Sequence, residues 1–146
     1  MRRVVAGCLA ALLTTGCAQP APFEKLADGP CSSAEEDLVS QHISGQIDAL
    51  ADQDWKLAYS FASDNFKGKV SLAQFTFIIA SQYSILIENR GYTFDTCTLV
   101  DGGVVQEVSV TSGGQVNNLT YELSVTDSKL GIESAMIGDA ETGLRT

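Results

Sequence analysis

Proline is absent beyond residue 30. The chain has three prolines in 146 residues, and Pro20, Pro22 and Pro30 all fall in one short stretch. Positive charge is also scarce: nine Lys and Arg stand against eighteen Asp and Glu, a formal net charge of −9. Phosphate backbones would repel so acidic a chain, so nucleic acid is excluded as an expected partner. The acidic residues are dispersed rather than run together, which suits solubility more than a binding tail. There is one histidine, His42, and four cysteines, and no Cys/His cluster has zinc-ligand spacing, so no metal is expected. A Gly-rich phosphate loop and a Ser-His-Asp order are also missing, so no cofactor is expected. No apolar run reaches the roughly 20 residues that span a bilayer as a helix, and no internal repeat is visible.

What is present begins at the amino end. Met1-Arg2-Arg3 is a short positive segment, and the uncharged stretch from Val4 to Leu13 has the length of a signal-peptide hydrophobic region. Thr14-Thr15-Gly16-Cys17 sets small residues directly before a cysteine and resembles a bacterial lipobox. Gly7-Cys8 is a competing pair, but the apolar run before it is too short. The resemblance implies a signal peptide over 1–16, a cut after Gly16, and diacylglycerol on the Cys17 thiol. The protein would then be lipid-anchored in the bacterial cell envelope, outside the cytoplasm, with a membrane as partner through Cys17. The alternative is a plain secretory signal with an incidental cysteine.

Without the leader the chain has the length of one domain with a sizeable core. Two of the nine basic residues go with the leader, so the remainder is more acidic still. Loss of Cys8 and lipidation of Cys17 leave Cys31 and Cys97. An even pair in an exported protein is expected to be disulfide-bonded; two separate buried thiols are the alternative.

Residues 17–31 read as a lipidated N-terminus and flexible linker, with a coil span of roughly 20 Å, although Phe23 and Leu26 are able to dock. The domain is expected over 32–138 and a frayed tail over 139–146. Ser32 with Glu35, or Ser33 with Glu36, has capping-box spacing for a first helix. Leu38, Val39, His42, Ile43, Gln46, Ile47 and Leu50 then give it one face, ending near Ala51-Asp52. Asp54 caps a second helix from Trp55 to about Ala62, with Trp55, Ala58, Tyr59 and Ala62 on one side. Asp64 to Val70 reads as a loop or short irregular segment. Ser71 caps a third helix, with Leu72, Phe75, Ile78, Ile79 and Tyr83 at helical spacing.

The period then changes. "YTFDTCTLV" (Tyr92–Val100), "VVQEVSVTS", "VNNLTYELSVT" and "LGIESAMIG" read as four strands separated by short Gly/Asp turns. Val104, Val108 and Val110 share a face interrupted by Gln106, and Leu130, Ile132 and Met136 share another. Helices first and strands after make the class α+β: three N-terminal helices on a four-stranded antiparallel sheet whose single apolar face they cover.

The segments "IDALADQDWKLAYSFAS", "LAQFTFIIASQY", "YTFD" and "GGVVQEVSVT" resemble a bacterial family of unknown function in the nuclear transport factor 2-like superfamily, over about Gln41 to Ile137. The resemblance implies helices packed into a curved sheet, forming a cone whose open end can hold a ligand. Trp55, Tyr59, Phe75, Ile79, Phe94 and Tyr121 would line it, whether the cone is open or filled by its own side chains. Such cones also dimerise through the outer sheet face, so a homodimer is a possible partner state.

Two functions follow. The favoured one is a non-enzymatic envelope module binding a small apolar ligand or an envelope protein. The alternative is an isomerase- or hydratase-like enzyme, since ketosteroid isomerase is similar in fold and uses a carboxylate in an apolar cone. Asp95 with Tyr59 or Tyr83 is the candidate set, and parity leaves open which way Asp95 faces. His42 reads as a core-edge residue rather than a base.

Overall fold

The computed structural model describes residues 20–138. The leader, Cys17 and the 139–146 tail therefore lie outside the described residues. A two-residue strand, β1 (Gly29–Pro30), comes first, then α1 (Ser33–Ala51), α2 (Trp55–Ser60), α3 (Asp64–Lys69), α4 (Leu72–Gln82) and α5 (Ser84–Ile87). Four longer strands follow: β2 (Tyr92–Val100), β3 (Gly103–Ser112), β4 (Gln115–Thr126) and β5 (Lys129–Ile137). The class is α+β, with one antiparallel sheet in the order β1-β2-β3-β4-β5.

Two expected counts are corrected: the described residues hold five strands rather than four, and five helices rather than three. β1 is too short to carry an alternation pattern, and pairing alone defines it, Gly29 opposite Leu99 and Pro30 opposite Thr98. The stretch Asp64–Val70 is not a loop. Its first six residues form α3, because the Ser63 hydroxyl accepts from the Phe66 N–H, and the acidic Asp64 begins it while Lys67 and Lys69 end it. α5 is one further short turn after α4.

Capping chemistry sets the longer helices. The Ser32 hydroxyl accepts from the Glu35 N–H, and the Glu35 carboxylate accepts from the Ser32 N–H at 2.8 Å. Ser71 and Gln74 repeat the device at α4. The inner face of α1, Val39, Ile43, Ile47 and Leu50, is fully buried against the sheet side of Val104, Val108, Val110, Leu119 and Leu123.

Two bulges break the strict alternation of the strands. In β2, Phe94 lies opposite Val108 and Cys97 opposite Gln106, so β2 carries an extra residue at Asp95–Thr96. In β5, Ile132 lies opposite Leu123 and Ser134 opposite Glu122, so Glu133 is the extra residue. Each insertion reverses parity beyond it. Ile132 and Ala135 therefore share the inner face, and Met136 does not: it is exposed, a correction to the grouping of Met136 with Leu130 and Ile132. The buried Gln106 amide repays part of the cost of the first bulge, donating to the Thr96 carbonyl at 3.2 Å and to the Glu107 carbonyl at 2.8 Å.

Part of the segment read as linker is docked. Phe23 is buried, its N–H donates to Glu35 Oε1 at 3.1 Å, and Leu26 packs against the core. The Asp101 N–H donates to Asp28 at 2.9 Å. The Cys31 and Cys97 sulfurs lie 2.08 Å apart, at disulfide distance. Burial opposes the Glu35 charge, but the Ser32 and Phe23 N–H groups and the Ser32 hydroxyl together hold its carboxyl below the ordinary value.

Candidate functional site

The site grows from the uncovered half of the β5 edge. Its other half is closed by backbone: Ser63 N–H donates to Ile132 O at 2.9 Å and Ile132 N–H to Phe61 O at 3.0 Å. That approach needs a glycine next door. A Cβ on Gly131 would stand 2.6 Å from Ser63 Cα. Past Ile132 the strand diverges from the helices, and a cavity of about 230 Å³ opens between α4 and β5.

Its walls are mostly apolar: Phe66, Phe75, Ile78, Ile79 and Leu86 on the helical side, Ile132, Ala135 and Met136 on the strand side. Phe75 is held by Tyr59 (ring centroids 5.5 Å) and by the edge of Phe66 (6.2 Å). Tyr83 closes one end, its hydroxyl donating to the Ala135 carbonyl at 2.6 Å. Four polar residues contribute to the lining, Gln46, Tyr83, Glu133 and Ser134, although the Ser134 hydroxyl donates to Glu122 at 3.1 Å on the outer face. The Gln46 amide nitrogen donates to the Ala58 carbonyl at 3.4 Å. The Glu133 carboxylate accepts from Asn65 Nδ2 at 2.8 Å. Burial works against its charge, yet hydrogen bonds from Asn65, Ser63 and Ser124, with Lys69 nearby, hold it below the ordinary value. Glu133 is therefore an anion at neutral pH.

Of the six residues named for the pocket, Phe75 and Ile79 line this cavity and Trp55, Tyr59, Phe94 and Tyr121 do not. Trp55, Tyr59 and Phe94 are half-buried against the core, and the Tyr59 hydroxyl donates to the Val70 carbonyl at 2.6 Å. Tyr121 is fully buried, its hydroxyl has no hydrogen-bond partner, and burial pushes its phenol far up. Sequence alternation missed the β5 wall because the Glu133 bulge, which creates it, leaves no periodic signal.

Asp95 is exposed on the outer face of the sheet, where it accepts from the Ser109 hydroxyl at 2.7 Å. It is near neither Tyr59 nor Tyr83 in the hydrogen-bond network. The β2 bulge decides this: it turns Cys97 and Leu99 inward while Asp95 stays out. His42 is half-buried at the core edge; Nε2 bonds the Phe61 carbonyl at 2.9 Å and the ring meets Phe61 edge-on. Burial lowers its pKa, the Phe61 carbonyl raises it, and Lys67 lowers it further, for a net fall. Among the described residues no group of three or more His, Cys, Asp or Glu could hold a metal ion, and no helix is long and apolar enough to cross a membrane.

A family model described as a domain of unknown function, DUF4864, matches residues 32–142. No curated protein and no solved structure matches the chain.

Proposed function

The chain belongs to this family of unknown function, DUF4864, and from the site's own chemistry we propose that it is a non-enzymatic, lipid-anchored envelope protein that binds a small, mostly apolar molecule between α4 and β5. The cavity carries this reading. Its 230 Å³ suits a small molecule. The Phe75–Ile79 wall supplies apolar contact. The Gln46 amide and the Tyr83 hydroxyl are the polar groups beside that wall. The anchor is the diacylglycerol on Cys17 implied by the lipobox. The bulges in β2 and β5 bend their strands, which supports a half-cone of the nuclear transport factor 2-like kind around this cavity.

An isomerase-like reading would place its base at Glu133. A base in such chemistry is helped by a raised pKa, and the bonds from Asn65, Ser63 and Ser124 push Glu133 the other way.

The test is binding of 1-anilinonaphthalene-8-sulfonate or a neutral naphthol to residues 18–146, with Ile78→Trp as the comparison. Ile78 is half-buried on the cavity wall, so an indole there fills the space from its mouth. Saturable binding by the parent and at least tenfold weaker binding by the folded variant are expected. Equal binding by both would refute the cavity as the site.

A further inference from the structure

The docking of the amino-terminal segment shortens the leash on the domain. Ala21 is already fixed: its N–H donates to Glu24 Oε2 at 2.9 Å, its carbonyl accepts from the Glu24 N–H at 3.1 Å, and Phe23 behind it is 5% exposed. Between Cys17 and Ala21 the sequence has only Ala18, Gln19 and Pro20. Four backbone steps reach at most about 14 Å when fully extended. A lipid on Cys17 sits at the headgroup boundary of a bilayer, so Ala21 stays within about 14 Å of that boundary. That reach is shorter than the roughly 20 Å mean span of a free linker over the whole segment.

The face beside Ala21 is a surface cleft lined by Phe23, Leu38, Gln41, His42, Ser128 and Leu130, with no carboxylate among them. Leu38 is 41% exposed there. Strand register puts this cleft at one end of the molecule. The β4–β5 turn at Asp127–Ser128 and the β2–β3 turn at Asp101–Gly102 lie at that end, because Leu99, Val104, Leu123 and Ile132 form one row across the sheet. Val116 lies at the other end, nine residues before Val125 on β4, about 30 Å away along the strand.

We propose that the end of the domain bearing the Phe23–Leu38–Leu130 cleft is held against a lipid bilayer surface by the lipid on Cys17. This placement rests on the anchor reading above. The carboxylates of Asp28, Asp101 and Asp127 stand at the same end and oppose anionic headgroups, so tether length and the uncharged cleft carry the contact. The ligand cavity lies further along β5, from Ile132 to Met136, beyond the bilayer-facing end.

The full chain, produced with its leader in a bacterium that processes lipoproteins, is reconstituted in phosphatidylcholine vesicles with and without brominated acyl chains. Mass spectrometry of the N-terminal peptide first reads the state of Cys17. Tryptophan is then placed by Leu38→Trp or Val116→Trp in a Trp55→Phe background. Expected are a lipidated Cys17, at least twofold quenching by brominated lipid for Leu38→Trp, and none for Val116→Trp, which reports from a residue 64% exposed. A twenty-residue Gly/Ser insertion between Gln19 and Pro20 is expected to abolish the quenching while vesicle binding persists. An unmodified Cys17 would overturn the anchor and the placement together. A lipidated, vesicle-bound protein with no quenching at position 38, or equal quenching at 38 and 116, would overturn the placement alone. The ligand reading stands apart from both outcomes.

Discussion

The two edges of the sheet are closed by different means. At the β1 edge, two residues of strand are backed by the Cys31–Cys97 pair, by Phe23 in the core and by the Asp28 contact to the next turn. At the β5 edge, two backbone hydrogen bonds around Ile132 do the work, and they need Gly131 to come close enough. Unpaired strand edges invite further pairing. One edge is fixed by a covalent cross-link between segments far apart in sequence, while the other is closed for only part of its length. The cavity lies beside the second, where strand and helix part. Firm closure and an opening are thus assigned to opposite sides of one sheet.

The largest effect expected from breaking this contrast is at the covalent edge. The Cys31–Cys97 link spans 66 residues, and Cys97→Ser is expected to destabilise the domain by about 4 kcal/mol through unfolded-chain entropy. Urea denaturation of the oxidised parent against the variant measures it. A difference below 1 kcal/mol would mean that the strap, not the cross-link, holds that edge.

Gly131→Ala comes next. The added methyl meets the Ser63 backbone, which cannot rotate away, so overpacking of about 1–3 kcal/mol is expected. Hydrogen exchange of the Ser63 and Ile132 amides should rise before that of α1. An unchanged midpoint would show that the β5 edge yields without loss.

The smallest effect is a pH dependence. His42 and Glu35 both have folded pKa values below their ordinary 6.5 and 4.5. The unfolded chain therefore binds protons more readily than the folded one, and their contribution is complete above the ordinary values and lost as pH falls through the folded ones. Tm should drop as the pH falls, first below pH 6.5 for His42 and then below pH 4.5 for Glu35 and Glu133. Glu35→Gln should shrink the second step, leaving the share that Glu133 contributes, and keep the first. A lower step of unchanged size in that variant would place it on carboxyls other than Glu35.

Much of the framework was legible because it is written in local chemistry. Ser32 with Glu35 and Ser71 with Gln74 announce helix starts through side chains three residues apart. The alternation of Leu119, Tyr121 and Leu123 survives intact in β4, which carries no extra residue of its own. What stayed hidden depends on contacts distant in sequence. Gly29–Pro30 is a strand only because Leu99 and Thr98 lie beside it. The α3 segment has too few apolar residues for a period to show. The extra residues at Asp95–Thr96 and Glu133 leave composition unchanged while reversing which side chains point inward, so parity left the facing of Asp95 open and set Met136 on a face that the backbone does not keep. The cavity inherits that difficulty, since Ala135 and Glu133 reach it only through the second irregularity.

The irregularity in β2 also bears on the cross-link. Without the additional residue, Cys97 would swing to the outer surface and its sulfur could not meet Cys31. The same register brings the Gln106 amide to the Thr96 carbonyl. The cross-link and the register of the second strand thus depend on one another: only the shifted register sets Cys97 opposite Gln106 and facing inward toward Cys31.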